Sequence, residues 1–78
     1  MDGKKLVKMG NQIAAFFEGE PDRKVALDST AGHLKRFWEP RMRKEILQLL
    51  DAGGAHGMSP LLQEALQKNR KSLEPVAQ

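Results

Sequence analysis

The chain has 78 residues, of which 40% are hydrophobic and 29% charged, and a formal net charge of +3. These values predict one folded domain with a small core, since a domain of this size buries only about 60–65% of its unfolded surface. The absence of cysteine excludes disulfides, thiolate nucleophiles and cysteine-based zinc or iron–sulfur sites.

A first helix is predicted over residues 4–18. Gly19 suits its C-terminal cap, and Pro21 follows. Gly10 within the helix is unfavourable by about 1 kcal/mol relative to alanine. The apolar residues of this helix recur at three- and four-residue steps: Leu6, Met9, Ile13 and Phe16/Phe17.

A second helix is predicted over residues 22–37, weakened by Gly32. Pro21 suits its first helical position, with Glu20 and Asp22 near that positive helix end. Its apolar residues have a 4-3-4 spacing: Leu27, Ala31, Leu34 and Trp38.

A third helix is predicted to begin at Pro40, because proline favours the first helical turn and keeps Glu39 out of helical geometry. Residues 51–57 are glycine-rich but lack the Gly-Lys-Ser/Thr ending of a phosphate-binding loop, so they are interpreted as a turn. The expected apolar face of the third helix comprises Met42, Ile46, Leu49 and Leu50.

A fourth helix is predicted from Pro60 to about Leu73, with Ser59 as its cap. Residues 74–78 are expected to form a frayed tail. No strand-like alternation occurs. The prediction is therefore an all-α fold, a small bundle of three to four short helices, in a single domain of residues 1–78 with an ordered core of about 4–73.

Residues 33–44, HLKRFWEPRMRK, hold five basic residues, one acidic residue and the only Trp. Two interpretations remain open. Phe37 and Trp38 could belong to the core, with the cations on a solvated face. Alternatively, this helix–helix corner contacts a partner, since Trp and Arg are enriched in interface hot spots. The partner-binding candidates are His33, Arg36, Trp38, Arg41, Arg43 and Lys44.

Other chemistry finds no support in the sequence. His33 and His56 are far apart and lack further ligands at metal-binding spacing. The serines have no plausible His/Asp partners for nucleophilic catalysis, so the chain is not expected to be an enzyme on its own. The N-terminus has no apolar run typical of a signal peptide, and no stretch approaches a membrane span of about 20 residues. We therefore expect a cytoplasmic location and no membrane partner.

Three segments together resemble the delta subunit of the cytoplasmic, NAD-dependent, molybdenum-containing formate dehydrogenase. They are KMGNQIAAFF at residues 8–17, HLKRFWEPRMRK at 33–44, and LDAGG at 50–54 followed by PLLQEAL at 60–66. The resemblance covers about residues 6–68, and its central segment is the most specific. Gly10 departs from the family pattern, which favours alanine there, and the loop at 53–58 is one residue longer.

This resemblance implies a non-catalytic accessory subunit that stabilises the complex or assists insertion of its molybdenum cofactor. It implies that the larger subunits carry the bis-molybdopterin guanine dinucleotide, the iron–sulfur clusters, FMN and the NAD site, and that this chain binds no cofactor. The expected partners are the larger formate dehydrogenase subunits. The alternative hypothesis is a small basic helical module that binds nucleic acid, and self-association is a third.

Overall fold

The computed structural model describes residues 2–53 and 57–75, which form five helices and no strand. The all-α prediction is confirmed. The helices are α1 Gly3–Phe17, α2 Arg23–Phe37, α3 Pro40–Asp51, α4 Pro60–Lys68 and α5 Arg70–Leu73.

Side-chain caps fix where three of these helices begin. The carboxylate of Asp2 accepts from the Lys4 amide at 3.0 Å, and Ser59 Oγ accepts from the Leu62 amide at 3.2 Å. Asp22 caps α2, so Pro21 precedes the helix and does not occupy its first position. Each cap pairs a backbone N–H that has no partner within its helix.

The predicted fourth helix is divided in the structure. Asn69, with φ −113° and ψ 23°, separates α4 from the single turn of α5. Its side-chain amide donates to the Ala65 carbonyl at 3.3 Å, a local bond of the kind that makes asparagine a poor helix-interior residue. Leu73 of α5 belongs to the core, where it is 1% exposed.

Helix α1 also differs from its predicted packing. Its buried ridge is Leu6, Gly10 and Ala14, whereas Met9, Ile13 and Phe17 are only partly buried. A Cβ atom at Gly10 would lie 2.9 Å from Leu62 Cδ2 of α4. Glycine therefore permits the close approach of α1 to α4, which accounts for an otherwise unfavourable residue. The helix also ends without using Gly19 in a left-handed conformation.

The core lies mainly between α2 and α4, which make the most extensive contact in the bundle. Buried Thr30 satisfies its hydroxyl by donating to the Ala26 carbonyl at 2.8 Å. Two arginine–carboxylate pairs join helices at the surface: Arg23 with Glu64, and Arg70 with Asp51. The hydrogen bonding that Arg70 donates to the carboxylate of Asp51 is the main reason that the pKa of Arg70 is raised. The buried apolar residues of α2 and α4 are Ala26, Leu27, Ala31, Leu34, Leu61, Leu62, Ala65 and Leu66.

Candidate partner-binding surface

Helices α2 and α3 meet at a short corner. Helix α2 ends at Phe37, Trp38 and Glu39 are extended, and Pro40 starts α3. The Trp38 amide still donates to the Leu34 carbonyl at 2.9 Å, which completes the last turn of α2. The corner predicted from Pro40 is therefore present, and it places Arg36 and Arg41 on different helices.

Trp38 anchors this corner from inside. Its side chain is only 6% exposed and belongs to the hydrophobic core. The sequence left open whether Trp38 lies in the core or contacts a partner, and the structure places it in the core. In the isolated chain the Trp38 ring is therefore not available to a partner. It contributes to the surface indirectly, by fixing the positions of the neighbouring residues of the corner.

The five basic residues of segment 33–44 form what we call the basic corner: Lys35, Arg36, Arg41, Arg43 and Lys44. Lys35, Arg36, Arg41 and Lys44 are exposed. Arg43 is half-buried, and its guanidinium donates from Nη1 to the Leu73 carbonyl at 3.2 Å. Arg43 therefore ties α3 to the end of α5, which gives it a structural role that its position in the sequence did not reveal.

The charge of the basic corner is uncompensated. Within the described parts of the chain, none of its five residues forms an ion pair. Elsewhere, Arg23, Lys24, Lys68 and Arg70 all lie within 4 Å of a carboxylate. Lys4, Lys5, Lys8 and Lys71 also form no ion pair in the described residues, so the basic corner is distinguished by having four exposed cations within residues 35–44.

His33 belongs to a series of four neighbouring rings that we call the aromatic row: Phe16, Phe17, His33 and Phe37. The centroids are 5.0 Å apart for Phe16–Phe17, 6.5 Å for Phe17–His33 and 4.7 Å for His33–Phe37. The row runs from the end of α1 to the end of α2. Arg36 joins it to the basic corner, with Cζ 5.8 Å from the Phe37 centroid.

Both ends of the aromatic row face solvent. Phe16 is 82% exposed and Phe37 is 67% exposed. The sequence placed Phe16 on the apolar face of the first helix, but the ridge of Leu6, Gly10 and Ala14 occupies the core instead. A signal was available: α1 carries two apolar stripes, and only the stripe that contains Leu6 and Ala14 is fully buried.

Residues 2–53 and 57–75 contain no group of three or more His, Cys, Asp or Glu placed to hold a metal ion. His56, the other histidine considered, lies outside those residues. Across the same residues, no helix combines the length and the apolar character needed to cross a membrane.

Comparison with known proteins gives one result. The family model of the NADH-dependent formate dehydrogenase delta subunit FdsD matches residues 5–66. The matched region includes the whole basic corner and the whole aromatic row. No curated protein and no solved structure matches the chain.

Proposed function

This chain belongs to the NADH-dependent formate dehydrogenase delta subunit family, and we propose that it is a non-catalytic accessory subunit. In this proposal it binds the larger formate dehydrogenase subunits through the basic corner and stabilises their assembly in the cytoplasm. The molybdenum cofactor with its guanine dinucleotides, the iron–sulfur clusters, FMN and the NAD site belong to those larger subunits, and this chain binds none of them.

The observation that carries this proposal is the concentration of four exposed cations at one helix–helix corner, none of them in an ion pair within residues 2–53 and 57–75. Arg36, Arg41 and Lys44 are presented on both sides of a corner that is anchored by buried Trp38. Holding the corner in place reduces the conformational freedom that binding would remove. Arginine is suited to carboxylates because its planar guanidinium donates two parallel hydrogen bonds. The surface therefore suits an acidic patch on a larger subunit.

Co-purification with the larger subunits tests the proposal. We expect the wild-type chain to be retained and the triple variant Arg36→Gln, Arg41→Gln, Lys44→Gln to bind at least about tenfold more weakly, since complementary charges steer and orient association. Arg43 is left unchanged because replacing it would remove its hydrogen bond to the Leu73 carbonyl, and an effect on folding could then be mistaken for an effect on binding.

A control variant loses the same charge elsewhere on the surface. Lys4→Gln, Lys5→Gln, Lys71→Gln also removes three exposed cations and is expected to bind like wild type. Failure of the wild-type chain to associate would reject the accessory role. Equal weakening by both triple variants would show that net charge matters and that the basic corner does not.

The same exposed arginines suit phosphate, which supports a narrower alternative in which the chain assists insertion of the molybdenum cofactor. Arginine binds phosphate in the same bidentate manner as carboxylate. Titration of the chain with GDP distinguishes the two roles. Saturable binding that weakens with salt and is lost in the Arg36, Arg41, Lys44 variant would favour delivery of the guanine dinucleotide. Absence of such binding would leave assembly as the role.

Nucleic-acid binding is the second candidate function, because free cations beside exposed rings can neutralise and stack on a single strand. A gel shift with duplex and single-stranded DNA at two salt concentrations tests it. Binding that falls steeply with salt, as released counterions require, would support this function over the accessory role. We expect no shift at physiological salt.

A further inference from the structure

Two depressions adjoin the centre of the aromatic row, where Phe17 of α1 meets His33 of α2. The first has a volume of about 360 Å³ and the second about 280 Å³. The first is lined by Met9, Gln12, Ile13 and Phe16, and the second by Ser29, Gly32, Arg36 and Phe37, with Phe17 and His33 shared. The exposed rings therefore adjoin both depressions, and the cation Arg36 lines the second one.

Gly32 deepens the second depression in a way that packing within the chain does not explain. A Cβ atom at Gly32 would meet no atom within 4 Å, in contrast to the 2.9 Å contact at Gly10. Glycine in a helix interior is unfavourable by about 1 kcal/mol relative to alanine. The chain therefore carries a destabilising residue at a position where no atom of the described residues would contact a side chain's Cβ.

Exposure of Phe16 and Phe37 is a second unfavourable feature of the isolated chain. Burying a phenylalanine side chain is favourable by about 1.5–3 kcal/mol, and most of that free energy is absent at these two positions. Large exposed apolar surface beside polar residues marks interaction sites. The aromatic row would regain this free energy if a partner covered it.

We infer that the aromatic row docks an acidic amphipathic segment of a larger formate dehydrogenase subunit. Apolar side chains of that segment enter the two depressions, and a carboxylate beside them meets Arg36. This inference rests on the proposed accessory function and names the surface and the partner chemistry. The positive charge at this surface favours an acidic partner, because Arg36 has no carboxylate partner in the described residues and follows exposed Lys35 in the sequence.

A second copy of the chain is a poorer occupant. In a two-fold symmetric contact, the same patch meets itself. Each copy would then bring the free cations of its basic corner toward those of the other, and like charges across an interface are unfavourable. An acidic segment has the opposite effect, because it compensates the same charges.

The test measures affinity for the larger subunits together with thermal unfolding of each variant. We expect Phe37→Ser and Phe16→Ser to bind at least about tenfold more weakly, with little change in unfolding because both side chains are exposed. Val25→Ser is the matched control. Val25 is an exposed apolar residue of α2 outside both depressions, at 44% exposure, and its loss is expected to leave binding unchanged.

Gly32→Gln separates binding from folding more sharply. Glutamine is a good helix former and finds open space at this position, so the variant should unfold at a temperature equal to or above that of wild type. Its side chain fills the second depression, so binding should fall at least about tenfold. Arg36→Gln should weaken binding and also reduce its dependence on salt.

The possible failures are distinguishable. Loss of binding already in the wild-type chain would overturn the proposed function and, with it, this docking surface. Wild-type binding that survives Phe16→Ser, Phe37→Ser and Gly32→Gln would leave the accessory function standing and overturn the docking surface. Sedimentation could instead show that the chain dimerises. If Phe37→Ser abolished that dimer and the larger subunits did not dissociate it, the surface would be assigned to a second copy of the chain.

Discussion

Phe37 and Trp38 are adjacent in the sequence and have opposite environments. Trp38 is 6% exposed in the core, whereas Phe37 is 67% exposed beside His33. The difference arises where α2 ends, because Trp38 is extended and turns its side chain inward as the chain enters α3. One residue therefore holds the corner in place, and its neighbour is available to a partner.

Trp38→Ala is expected to lower the free energy of unfolding by about 3–5 kcal/mol, because truncating a buried aromatic leaves a cavity in the core. Phe37→Ala is the neighbouring control and should lower it by less than about 1 kcal/mol. Urea denaturation followed by circular dichroism measures both. Comparable losses in the two variants would contradict the assigned positions.

The two glycines in helix interiors, Gly10 and Gly32, also have different environments. Gly32→Ala should raise the free energy of unfolding by about 0.5–1 kcal/mol, because alanine has the higher helix propensity and its methyl group meets no atom. Gly10→Ala gains the same propensity but places a methyl group against buried Leu62. The midpoint of thermal unfolding should therefore be higher for Gly32→Ala than for Gly10→Ala, and the reverse order would be inconsistent with this packing.

At the scale of elements, the connection before α4 is held to α1 by one side chain. Asn11 donates from Nδ2 to the Gly57 carbonyl at 2.6 Å, and its Oδ1 accepts from the Ser59 amide at 2.8 Å. Ser59 in turn caps α4. The start of α4 is therefore positioned by a residue 48 positions earlier in the chain, which no local pattern in the sequence indicates.

Asn11→Ala should destabilise the fold by about 1–3 kcal/mol, since it removes two hydrogen bonds and leaves the Ser59 amide without its acceptor. Amide hydrogen exchange should also accelerate at Ser59 and in the first turn of α4. Gln12→Ala, at the adjacent exposed position, is the control. A stable Asn11→Ala variant with unchanged exchange at Ser59 would show that the connection does not need this clamp.

At the scale of the whole molecule, the basic corner and the aromatic row meet at the end of α2, where Arg36 lies over Phe37. The five ion pairs of the described residues all lie away from the basic corner. A domain of this size has limited stability of its own. Covering this surface would therefore also stabilise the fold, because a partner that binds only the native state shifts the unfolding equilibrium.

Association with the larger subunits should depend on ionic strength. Raising NaCl from about 0.05 M to about 0.5 M should weaken wild-type binding by about tenfold, because exposed charges are screened. The Arg36, Arg41, Lys44 triple variant should show a shallower dependence, whereas Phe37→Ser should keep the wild-type slope at lower affinity. Isothermal titration calorimetry at both salt concentrations makes the comparison, and identical slopes for all three proteins would exclude the basic corner from the interface.

Local signals in the sequence determined the helices, the corner at Pro40 and the cap at Ser59, and the family pattern at residues 33–44 indicated the delta subunit family. These features depend on residues within about one or two helical turns, so a linear reading captures them. The break at Asn69 was not predicted, because the residues on either side of it, Lys68 and Arg70, both favour a helix.

Only the tertiary structure decided which candidates are accessible. It buried Trp38, tied Arg43 to Leu73, and brought Phe17 of α1 beside His33 of α2. It also left Phe16 outside the core while using Gly10 as a contact point. Each of these outcomes depends on distances between residues on different helices, and helix periodicity gives the faces of one helix without saying which face its neighbours will cover.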